Sequence, residues 1–147
     1  MKYFAYGSNM NPQRMKDRGV SYSTRLTANL KGYTLKFNKT AARNPKEGYA
    51  NIVPDENQVV EGALYEIPDT DILKLDSYEG YPDNYYREKV TVLLTTGIEE
   101  AVTYIASQDK VQEGLKPSKE YLKHLLAAWD MLSDEYYQHL QLWETID

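Results

Sequence analysis

The chain has 147 residues, 41% of them hydrophobic and 27% charged, with a formal net charge of −5 and no cysteine. That size is most simply one domain, residues 1–147, with a core able to stand alone, and nothing in the composition favours disorder. No lysine–arginine run marks a nucleic-acid partner, no apolar stretch approaches the roughly 18–20 residues that cross a bilayer, and disulfides, thiolate metal sites and a cysteine nucleophile are excluded.

The N-terminus, MKYFAYGSN, lacks an apolar segment long enough for a secretion signal, so a cytoplasmic location is expected. KYFAY (2–6) reads as a short buried strand that breaks at once into Gly7, Ser8 and Asn9. Asn11 then offers an N-cap, with Pro12 at the first helical position, and predicts a helix through QRMKDR that stops at Gly19. LKGYTLKFN (30–38) and YANIV (49–53) have strand character. Between them TAARNPKEG reads as a loop, marked by Asn44-Pro45 and Gly48. QVVEGALYEI (58–67) is a further strand, in which Gly62 signals a bulge or a close backbone contact. PDTDILKLDSYEG (68–80) opens on Pro-Asp-Thr cap chemistry and closes as a helix at Gly80. YREKVTVLL (86–94) alternates apolar and polar residues, and Thr96-Gly97 turns it into EEAVTYIAS (99–107) as a hairpin. In KPSKEYLKHLLAAWDML, Tyr121, Leu122, Leu125, Leu126 and Trp129 form one apolar stripe at helical spacing, and a second helix starts at Ser133. Strands come first and helices later, without regular alternation. The expected class is therefore α+β on a mostly antiparallel or mixed sheet, with a small barrel as one way of closing it.

Two stretches carry chemistry. In YGSNM, Gly7 permits positive φ and close approach of a ligand, and successive N–H groups there form a concave nest for negative charge. The N-terminus of the next helix adds its own free N–H groups. A tight turn capped by Asn11 is the plain alternative. In DILKLDSYEG, Ile72, Leu75 and Glu79 share one helix face, which turns the Glu79 carboxylate toward the core at a helix C-terminus. Both conditions raise a carboxyl pKa, as a general base that must return its proton requires. Asp76 and Glu88 compete for that role, and a Glu79 frayed outward into solvent is the alternative. GYPDNYYRE gathers tyrosines that either wall a pocket or form a surface hinge. His124 and His139 lie fifteen residues apart with no i, i+4 histidine partner, so no metal site is expected.

Together YFAYGSNM, RLTANLKGYTLKFNK (25–39), YANIVPDENQVVEGALYEI (49–67), LDSYEGYPDNYYREKVTV (75–92) and PSKEYLKHLLAAW (117–129) resemble the γ-glutamylcyclotransferase family, in its order and spacing. YGSN alone is weak evidence; YGSN followed some seventy residues later by LDSYEGYP is specific. The resemblance implies a small mixed-strand β-barrel with surrounding helices. It also implies release of a γ-glutamyl group as 5-oxoproline by attack of the substrate's own α-amine, without metal or cofactor. By position it assigns Tyr6, Gly7, Ser8 and Asn9 to the loop that holds the γ-glutamyl moiety and Glu79 to the catalytic glutamate. Tyr121 matches a tyrosine near the substrate, and either Tyr85 or Tyr86 matches another. Met10 stands where leucine is common, a volume-conserving change. The implied partner is a small γ-glutamyl compound. The loop 39–48 and GYPDNYY are the expected walls around its leaving group, and neither that group nor the oligomeric state follows from the sequence. A binding module that holds a γ-glutamyl or amino-acid metabolite without turnover is the competing reading, and a tyrosine-rich interaction domain is a third. Residues from Met131 on carry no family motif.

Overall fold

The structure, a computed structural model, describes residues 1–147. Five strands close a barrel: β1 (Lys2–Ala5), β2 (Thr24–Ala41), β3 (Asn44–Glu66), β4 (Tyr85–Leu94) and β5 (Gly97–Ala106), in the order β1-β3-β2-β4-β5. β1 runs parallel to β5 and every other pairing is antiparallel, which makes the barrel mixed. The connections hold α1 (Pro12–Asp17) and α2 (Ile72–Glu79); α3 (Lys119–Leu126) and α4 (Asp134–Gln141) follow β5. No helix is long and apolar enough to cross a membrane.

β1 is short and buried at successive positions because it sits between two strands with both faces covered. Phe4, Tyr65, Val92 and Leu125 are completely buried around it. Gly62 marks a close backbone contact: a Cβ there would lie 2.3 Å from the Ala5 carbonyl oxygen and 2.9 Å from the Phe4 ring. Gly62→Val is therefore expected to lower stability by about 1–3 kcal/mol or more through overpacking. The readout is a lower denaturant midpoint at unchanged slope; an unmoved midpoint would show that β1 can yield.

The sequence divides residues 30–67 into three strands and a loop, whereas the structure has one long ribbon of β2 and β3. Residues 55–59 alternate poorly because that end of the ribbon is largely exposed on both faces. Register shifts near Lys31, Lys36 and Thr40 further blur the period. The expected loop 39–48 is mostly paired strand. Pro45 is tolerated there, with the Lys46 N–H donating to Asn44 Oδ1 at 2.9 Å just beyond it. Gly48 is a strand position where a Cβ would collide with the Phe37 carbonyl.

The helix stops fall where glycine predicts them. Gly19 (φ 75°) follows α1 and Gly80 (φ 66°) ends α2, with the Tyr81 N–H donating to the Asp76 carbonyl at 3.0 Å. Asn11 caps α1 through the Gln13 N–H. The expected Pro-Asp-Thr cap differs: a one-turn 3-10 helix, Asp69–Asp71, leads into α2, and Asp71 instead accepts from the Ser21 N–H at 3.0 Å. The apolar stripe also ends early. α3 stops at Leu126, Ala128 takes the buried place, and Trp129 is 67% exposed.

Candidate active site

Beyond β1 the chain turns through Tyr6 and Gly7 into a one-turn 3-10 helix, Ser8–Met10. This turn, the end of α2, the start of α3 and the inner face of the β2–β3 ribbon enclose a cavity of about 720 Å³. Tyr6, Gly7, Ser8, Asn9, Glu79, Tyr85 and Tyr121 all line it. Tyr86 does not. It follows Tyr85 on β4 and so points to the other face, where it is exposed.

The Gly7 conformation differs from the expected one. Its φ is −113°, and glycine is favoured by proximity, since a Cβ would lie 3.0 Å from the Ala50 Cβ and 3.4 Å from the Tyr121 hydroxyl. The N-terminus of α1 adds no free donors to the cradle, because the Met10 and Asn11 N–H groups bond back to Gly7 and Ser8 and the Asn11 side chain caps α1. The Gly7 N–H finds no acceptor in the protein. The N–H groups of Ser8 and Asn9, at the start of a single helical turn, have no intrahelical acceptor.

Glu79 turns inward, with its side chain 18% exposed. Its Oε1 accepts from Asn9 Nδ2 at 3.2 Å and lies 3.7 Å from Arg18 Nη1. Burial pushes its carboxyl above the ordinary range, against the opposing pull of Arg18, Arg14, Lys39 and the Asn9 hydrogen bond. The two competing acids are placed otherwise. Asp76 is buried, yet Arg87 and the Tyr104 hydroxyl hold its carboxyl below the usual value, and Glu88 is exposed. The Asn9 side chain makes three hydrogen bonds: it donates to Tyr3 Oη at 3.0 Å as well as to Glu79, and its Oδ1 accepts from Arg18 at 2.9 Å.

The tyrosines divide the remaining hydrogen-bonding. Tyr6 donates to the Tyr104 carbonyl, and Tyr85 to the Ala50 carbonyl at 2.7 Å. The Tyr121 hydroxyl accepts from the Ala50 N–H at 3.1 Å, which leaves its own proton free to donate. Burial pushes the Tyr121 phenol up to about 12 and those of Tyr6 and Tyr85 well above their ordinary value, so all three stay protonated at neutral pH.

The sequence reading missed the positive wall. Arg14, Arg18, Lys39, Arg43 and Lys110 line the cavity, against the carboxylates of Glu79 and Glu120. One signal was available: Arg14 and Arg18 stand at i, i+4, a like-charge pair that an isolated helix disfavours. Arg14 Nε is buried without a partner. Of the two histidines, His124 contacts Asn11 Nδ2 at 3.0 Å and Arg14 Nη1 at 3.4 Å, while His139 packs beside Trp143.

A closed mixed barrel whose glycine turn and inward acid share one cavity defines a small-molecule site. The family model described as Gamma-glutamyl cyclotransferase, AIG2-like matches residues 3–123, and the chain belongs to that family. The gamma-glutamylcyclotransferase of Bos taurus is 27% identical over 124 residues, covering 82% of this chain and 65% of that protein. A solved structure described as a gamma-glutamyl cyclotransferase superposes with a TM-score of 0.86 at 25% identity, covering 99% of this chain and 89% of that one. YkqA from Bacillus subtilis superposes with a TM-score of 0.85 at 25% identity, covering 99% of this chain and 55% of that one. The matches to curated relatives span 26% to 65% of those proteins' lengths.

Proposed function

We propose that the chain is a cyclotransferase that releases 5-oxoproline from a γ-glutamyl compound, with Glu79 as general base and then general acid. The observation that carries this reading is the shared cavity: an inward carboxyl, raised by burial, stands beside a turn whose Gly7 N–H has no acceptor. In the first step the Glu79 carboxylate takes a proton from the substrate's α-ammonium. The freed amine attacks the γ-carbonyl carbon of the same molecule and closes a five-membered ring. Negative charge builds on the carbonyl oxygen, where the turn N–H groups and the Tyr121 hydroxyl are the donors to meet it. The C–N bond to the leaving amine then breaks and the carbonyl re-forms as protonated Glu79 hands its proton to that nitrogen; the regenerated carboxylate passes the second proton of the attacking nitrogen on to the departing amine. The products are 5-oxoproline and the leaving amine in its ammonium form. Nucleophile and electrophile belong to one molecule, so the cavity's main task is to fold it into a reactive conformer.

The test is 5-oxoproline release across γ-glutamyl amino acids, amines and peptides. Turnover of at least one is expected, whereas binding across the panel without turnover favours the metabolite-binding module. The Arg18–Glu79 pair gives a second, independent check. Arg18 opposes the rise in the Glu79 pKa, so Arg18→Gln lets it rise further. The base works only when deprotonated, and the acid limb of kcat/KM is therefore expected to move to higher pH. An acid limb that stays in place, or moves down, would separate Glu79 from that limb.

A further inference from the structure

The family model ends at residue 123, and the proposed reaction uses no side chain beyond Tyr121. Residues 143–147 nevertheless run back along the start of α3, where Tyr121 is the third residue. The Ile146 N–H donates to the Pro117 carbonyl at 3.0 Å, and Asp147 Oδ1 accepts from the Lys119 N–H at 2.9 Å. Lys119 opens α3, so its N–H has no acceptor within the helix, and a carboxylate is favoured at that end by the helix dipole. Just before α3, the Lys116 carbonyl accepts from the Gly48 N–H at 2.9 Å, next to Tyr49 and Ala50 on β3.

A chain of rings joins the same segment to the cavity. Trp143 meets Phe37 edge-on with ring centres 4.8 Å apart, and Phe37 meets Tyr121 edge-on at 6.3 Å. Phe37 is 3% exposed, so its ring has little room to turn if either neighbour stays in place. Three constraints thus aim the Tyr121 hydroxyl: the Ala50 N–H that donates to it, the rings beside it, and the first turn of α3 that carries it. Residues 143–147 act on the last two. None of them lines the cavity, so any effect they have on a bound ligand must pass through groups that do.

We propose that Trp143 and Asp147 are positioning residues for the Tyr121 hydroxyl, Trp143 through the Phe37 ring and Asp147 through the first turn of α3. The proposal rests on the reading of Tyr121 as a donor to the developing oxyanion. A misplaced donor of that kind costs rate more than substrate binding. kcat is therefore expected to fall about tenfold in Trp143→Ala and about threefold in Asp147→Ala, with KM within about twofold of the wild type. Trp143→Phe keeps an edge for Phe37 and is expected to recover most of the loss. The discriminating step is a double-mutant cycle: in a Tyr121→Phe background, Trp143→Ala should lower kcat less than twofold, because the hydroxyl it positions is gone. A merely structural tryptophan would cost the same factor in both backgrounds. Amide exchange at Ala50, whose N–H donates to that hydroxyl, reads the contact without turnover. Protection of Ala50 relative to Phe4 in the barrel is expected to drop at least fivefold in both alanine variants, whereas a general loss of stability lowers the two amides together. Asp147 is exposed, so its variant carries the test if Trp143→Ala does not fold. An unchanged kcat, a loss confined to KM, or equal losses with and without the Tyr121 hydroxyl overturns the proposal. Absence of turnover in the wild type would instead count against the cyclisation, and the Ala50 exchange ratio would still decide whether this segment holds Tyr121.

Discussion

Glu79→Gln is expected to reduce 5-oxoproline release by roughly 10²–10⁴-fold, the range a positioned general acid–base group supplies. Gln keeps the shape, and its amide oxygen can still accept from Asn9 Nδ2, but it cannot take the proton that makes the α-amine a nucleophile. Substrate binding should survive, weakened by one lost ammonium–carboxylate contact, because the turn at Gly7 and the tyrosine hydroxyls are untouched. Stability should change in the opposite direction from activity. The folded protein raises the Glu79 carboxyl above its ordinary value of 4.5, chiefly by burial. A carboxyl raised in this way contributes stability that is present below its unfolded pKa and is lost as pH rises through the folded one. Gln does not ionise and so suffers no such loss. At neutral pH the variant is expected to unfold at a higher midpoint than the wild type while turning over far more slowly. Unchanged turnover in Glu79→Gln would remove the proposed base. A lower midpoint at neutral pH would show that Arg18 and Asn9 outweigh the burial penalty.

The parts of this protein that could be read from its sequence are those set by local chemistry. Asn11-Pro12, Gly19 and Gly80 act through their own backbone preferences, and each sits where that preference puts it. The inward direction of Glu79 followed from its spacing to Ile72 and Leu75, because one amphipathic helix face fixes all three. What could not be read was set by partners distant in sequence. The β2–β3 ribbon continues through polar residues because pairing, rather than alternation, holds it together. Lys39 turns into the cavity next to a register shift, and no local pattern announces such a shift. Tyr85 and Tyr86 were inseparable by motif spacing, since adjacent residues on a strand face opposite sides and the register of β4 decides which faces in. Trp129 looked like the last member of a stripe until the chain turned at Ala127 and Ala128.

Asn9→Leu is the second variant with a large expected effect, and it separates positioning from substrate contact. Asn9 is 3% exposed, and its side chain joins three groups: Tyr3, Glu79 and Arg18. Both of its N–H donors are taken and one acceptor site remains on Oδ1, so its expected role in turnover runs chiefly through Glu79. Leucine has similar bulk but none of these bonds. The carboxylate loses the donor that holds it, Arg18 loses the acceptor beside it, and a shift of about 1 Å in a reacting group can cost on the order of 100-fold in rate. kcat is therefore expected to fall by about that factor, with KM changed much less. The acid limb should also move, because the Asn9 hydrogen bond favours the charged carboxylate and its loss lets the Glu79 pKa climb. The limb moves to higher pH, in the same direction as for Arg18→Gln. If Asn9 also held the substrate directly, KM would rise along with the fall in kcat. The split between KM and kcat thus separates the two accounts on a single variant.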